Sequence, residues 1–159
     1  MQVINLLFLC TMSMSTLATE DHEHAKALKD FVPDHPHLHE LVDKTHKGDL
    51  DAKHQFERES LSVRFNATRK RLPNDTDEEH VVLHFLDDYT AHVSGQTDHK
   101  FMELEPFINM LSKHDDLREQ LVELGKKLER AECDFTCMGD NLGVILNKAM
   151  ERMMQHTEL

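Results

Sequence analysis

Glycine and proline are scarce in this chain, five and four residues in 159, and tryptophan is absent. So few turn-forming residues leave little room for the many tight reversals of a β-sandwich or barrel. No stretch of alternating β-branched residues supports a strand either. Positive charge is also short: 18 Lys and Arg stand against 30 Asp and Glu, a formal charge of −12. That deficit excludes the basic footprint of a nucleic-acid binder and charge-driven attachment to an anionic membrane surface. The acidity favours solubility and weak nonspecific association.

Cysteine is limited to Cys10, Cys133 and Cys137. That number excludes a disulfide scaffold, so an apolar core must hold the domain together. Long hydrophobic runs are limited to one, at the start. Val3 to Leu17 carries no charge and ends in Thr16-Leu17-Ala18, after which the chain turns acidic at Glu20-Asp21. The run is shorter than the ~20 apolar residues of a membrane span. It reads as a cleavable secretory signal cut after Ala18. Secretion removes Cys10, and in an oxidising compartment Cys133 and Cys137 then pair with each other or across a dimer. Their separation is not the two-residue spacing of a redox-active pair. Two sequons, Asn66-Ala67-Thr68 and Asn74-Asp75-Thr76, are expected N-glycosylation sites. The expected location is extracellular.

What the chain does contain is helix-forming: Leu, Glu, Lys and Met in abundance. The expected fold is all-α, a single-domain bundle of about five to seven amphipathic helices. Residues 1–18 form the signal. Residues 19–48 form a His-rich acidic region of short helices or partly disordered chain, and 49–159 form the bundle. Short helices are expected at Asp21–Phe31 and after Pro36 as far as Gly48. A third, from about Asp51 to Leu72, carries two apolar stripes and should be central: Ala52, Phe56, Val63 and Ala67 on one side, Leu61, Phe65 and Leu72 roughly opposite. Thr76-Asp77-Glu78-Glu79 has the form of a capping box opening a fourth helix, with Val82, Phe85, Leu86, Tyr89 and Val93 in one stripe. Thr97-Asp98 opens a fifth, with Phe101, Leu104, Phe107, Ile108 and Leu111 apolar and Pro106 a potential kink. A sixth, Asp115–Ala131, places Leu117, Leu121, Leu124 and Leu128 on one seam. Gly139-Asp140-Asn141 reads as a turn before a seventh carrying Leu142, Ile145, Leu146 and Ala149.

Thirteen histidines are the one unusual chemical resource. His80 and His84 lie one helical turn apart, with Asp88 one turn further, a spacing that suits Zn²⁺ or Cu²⁺. His35-Pro36-His37-Leu38-His39 could bind metal or haem loosely. The Glu-x-x-His pairs of a di-metal bundle are absent. No serine elbow, P-loop or dinucleotide fingerprint appears, so neither an enzyme nor a bound cofactor is expected. Met138, Met150, Met153 and Met154 give the last helix a soft face suited to a partner or an apolar ligand. The expected function is therefore non-enzymatic binding of a protein partner or small apolar ligand, with His-mediated metal or haem binding as the alternative.

Overall fold

The computed structural model describes residues 18–94, 109–110 and 113–155. Among these residues there are six helices and no strand: α1 (Ala18–Phe31), α2 (Pro36–His46), α3 (Leu50–Arg71), α4 (Glu78–Ser94), α5 (Asp115–Glu129) and α6 (Phe135–Gln155). They pack as one all-α bundle. The signal segment before Ala18 lies outside the described residues, as does the expected fifth helix except Asn109 and Met110, which are helical.

Local chemistry sets the helix ends. Pro36 opens α2, where its missing N–H costs nothing. Gly48 follows α2 at φ +93°, and the amides of Gly48 and Asp49 return to the carbonyls of Thr45 and Lys44 at 2.9 and 3.2 Å. This is a Schellman closure, which a glycine adopts without a Cβ clash. Asp49 then caps α3, its carboxylate accepting from the Ala52 amide at 3.0 Å. Two helices are thus joined in three residues with their backbone groups satisfied.

One core runs through all six helices. Phe31, Val32, Leu38, Leu41 and Val42, from the His-rich 19–48 region, enter the same core as the bundle residues. Helix α3 packs on α2, α4 and α5, as its expected central position requires. Its buried face differs from the two expected stripes. Ala52, Phe56, Ser60, Leu61, Phe65 and Thr68 form a continuous band, while Ala67 is exposed and Val63 only half-buried. Ser60 and Thr68 can lie in the core because each hydroxyl donates to a carbonyl of its own helix, Glu57 at 3.1 Å and Arg64 at 3.2 Å. On α5 the four leucines of the expected seam are fully buried.

Two expected features are corrected. The capping box does not form around Thr76. The Thr76 amide closes a turn onto Pro73 O at 3.0 Å, and α4 starts two residues later, its first backbone bonds running to Asp77. Glu79 is instead buried against α5, where its carboxylate accepts from Arg118 Nε at 3.0 Å. Nor is Gly139-Asp140-Asn141 a turn. Helix α6 runs through it, because Met138, Leu142, Ile145 and Ala149 recur at helical spacing on one buried face. Gly139 and Gly143 face open space, so nothing there interrupts the helix.

Candidate functional site

The side chains singled out by sequence fall into three places. Cys133 and Cys137 are joined within the chain, across the start of α6. Asn74 is exposed in the α3–α4 turn, whereas Asn66 is half-buried in mid-helix and its amide donates to Ser62 Oγ at 3.5 Å. His80, His84 and Asp88 share one face of α4 but do not converge as a set. His80 lies close to Asp77 and Glu79 instead, and Asp88 is taken by Arg71 and by Thr68 Oγ1 at 3.4 Å.

The His35–His39 cluster has structural roles. His39 Nε2 lies 3.1 Å from Lys29 O and 2.9 Å from Val32 O. Both partners are carbonyls, so that nitrogen carries the hydrogen and the ring ties down the end of α1. His37 Nε2 lies 2.6 Å from Glu59 Oε2 and links α2 to α3.

A recess lies elsewhere, where the end of α1 meets α3 and α4. It is an open cleft of about 420 Å³. Phe31, Pro33, Val63, Ala67 and Ala91 supply apolar wall. Arg64, Arg71, His35 and His92 supply its basic groups, and Asp34 and Asp88 its acids. Arg71 and Asp88 pair with each other. Arg64 has a different environment. Its Nη1 donates to Phe31 O at 3.0 Å, and its guanidinium lies over the Phe31 ring, 4.4 Å from the centroid. No carboxylate among the described residues lies within 4.0 Å of it. Burial lowers its pKa from the ordinary value, Asp88 opposes this and Arg71 adds to it. His92 also packs against Phe31, at 5.1 Å between ring centroids. Burial first, and Arg64 second, push its pKa down, with Asp30 opposing.

Sequence reasoning missed this cleft because Arg64 and Arg71 look like ordinary solvated positions. The available signal was their register: Arg64 and Arg71 share a face of α3 with Thr68, between core positions. It also missed His54, Glu57 and Asp134, whose ligand atoms lie within 4.8 Å of one another.

A second recess of about 460 Å³ lies between α5 and α6, where Asp116, Glu119, Glu123 and Asp140 share the lining with Gln120, Asn141, Val144 and Ile145. On α6, Met138 is in the core, whereas Met150, Met153 and Met154 are 38, 47 and 69% exposed. Compared with known proteins, the chain matches no family model, no curated protein and no solved structure.

Proposed function

We propose that this is a secreted, N-glycosylated helical protein that acts by binding rather than by catalysis, with the α1–α3–α4 cleft as its binding site. The ligand is a small anion with an apolar body, such as a short-chain or single-ring carboxylate. One observation carries this reading: Arg64 is half-buried at an apolar wall, held by a carbonyl and a ring, with no described carboxylate within 4.0 Å, while Asp88 acts on it from farther off and is itself paired with Arg71. A cation partly removed from water with no carboxylate in direct contact is costly. A ligand carboxylate entering there gains a charge-assisted hydrogen bond, with geometry that suits a guanidinium. The cleft volume falls within the range of small-ligand sites. The leading apolar run, the sequons and the intrachain disulfide all support the extracellular part of the reading.

The test is native mass spectrometry of the chain expressed in a eukaryotic secretory host and gently purified. The reading predicts export, loss of residues 1–18, glycan mass, and a retained acid of low mass that Arg64→Met does not carry. Retention inside the cell, or equal cargo on wild type and Arg64→Met, contradicts it.

A further inference from the structure

We propose that His54, Glu57 and Asp134 form a binding site for zinc, separate from the cleft. The three residues come from two parts of the fold. His54 and Glu57 lie three residues apart on α3 and therefore on one face of that helix. Asp134 comes from the link between α5 and α6, inside the loop closed by Cys133 and Cys137. The bridge fixes that loop, so Asp134 is held in place against α3.

The donor set is one imidazole and two carboxylates. Three such ligands with a fourth position left to water is a common open zinc arrangement. His54 Nδ1 is 3.7 Å from Asp134 Oδ2. Zinc bonds of ~2.0–2.1 Å place tetrahedral ligand atoms about 3.3 Å apart, so the set must contract. The half-exposed His54 side chain has room to swing inward, and its open side leaves a path for the ion and its water.

Both carboxylates are already held by backbone amides of the α6 start. Asp134 Oδ1 caps α6 by accepting from the Cys137 amide at 2.8 Å, leaving Oδ2 toward His54. Glu57, only 6% exposed, accepts from the Phe135 amide through Oε2 at 3.3 Å. Its Oε1 lies 3.7 Å from Lys53 Nζ. Ligating carboxylates are hydrogen-bonded and oriented in this way in known metal sites. Lys53 is on a flexible stem and yields to a doubly charged ion. The other such set among the described residues, Asp77–Glu79–His80, is a poorer site, because Glu79 is committed to Arg118.

The experiment is a calorimetric titration of the full chain with zinc sulfate. His54→Ala, Glu57→Gln and Asp134→Asn are compared with a His80→Ala/His84→Ala control. Gln and Asn keep the acceptors for the Phe135 and Cys137 amides, so these two variants remove charge without removing the helix caps. The wild type should show one tight equivalent above any weak background from other histidines. Each of the three variants should weaken it at least tenfold, with unchanged circular dichroism, and the control should keep it. If Glu57→Gln does not fold, His54→Ala and Asp134→Asn decide. No tight equivalent, its survival in those two variants, or its loss in the control alone would overturn the site.

Discussion

Gly125 on α5 and Val82 on α4 meet so closely that a Cβ on Gly125 would lie 2.8 Å from Val82 Cγ2. The same atom would lie 2.8 Å from Glu78 Oε1, which Arg69 holds at 2.6 Å. Val82 is fully buried and β-branched, so it cannot turn aside freely. Alanine gains about 1 kcal/mol in helix propensity, but overpacking of this kind costs about 1–3 kcal/mol. Gly125→Ala should therefore destabilise the fold by up to about 2 kcal/mol, read from the midpoint of urea unfolding.

The end of the same helix predicts the opposite sign. Helix α5 stops at Glu129, two residues before its expected end, and Ala131 adopts φ +55°. The Ala131 and Glu132 amides close back onto Leu128 and Lys127 at 3.1 and 2.9 Å, the closure that Gly48 makes after α2. A residue with a Cβ is strained in that conformation by about 1–2 kcal/mol. Glycine removes the strain and returns part of the gain as unfolded-state entropy. Ala131→Gly should stabilise by about 0.5–1 kcal/mol, measured in the same unfolding assay.

His92 should make stability fall in mild acid. Its folded pKa lies below the ordinary 6.5, so the folded state binds fewer protons than the unfolded state. Its contribution is fully present above about pH 6.5 and is lost as pH falls through the lower folded value. Protonation there places a second cation beside Arg64, with Asp30 opposing the effect. His92→Gln should flatten the decline in melting temperature between about pH 6.5 and 5 relative to wild type. An identical decline in both proteins would show that His92 does not drive it.

Glycan should sit on Asn74. That residue is exposed in the turn closed by Pro73 and Thr76, whereas Asn66 is half-buried along α3. Asn74→Gln should lower the secreted mass by one glycan, and Asn66→Gln should leave the Asn74 glycan in place. Mass spectra before and after enzymatic deglycosylation check both.

The sequence disclosed what depends on local pattern. The four leucines of α5 recur at helical spacing and are buried, and Pro36 and Gly48 bound α2 where their chemistry places them. It misled where one residue type has two uses. Gly139-Asp140-Asn141 reads as a turn by composition, but the buried face on either side carries α6 through it. Glu79 fits a capping box by spacing, but a partner 39 positions away, Arg118, takes its carboxylate. The cleft and the zinc site were less visible for the same reason. Arg64 is defined by Phe31, and His54 by Asp134, and neither pairing leaves a local sequence pattern.

In the function proposed above, Arg64 makes the cleft selective for an anion on an apolar body. Calorimetry with octanoate and with octanol tests it directly, since the two share a tail and differ in charge. A hydrogen bond to a charged group contributes about 1.5–3 kcal/mol. Wild type should bind one octanoate at least about tenfold more tightly than octanol, and Arg64→Met should lose that preference while keeping the wild-type fold. Equal affinity for the two compounds, or a preference that survives Arg64→Met, would contradict the account.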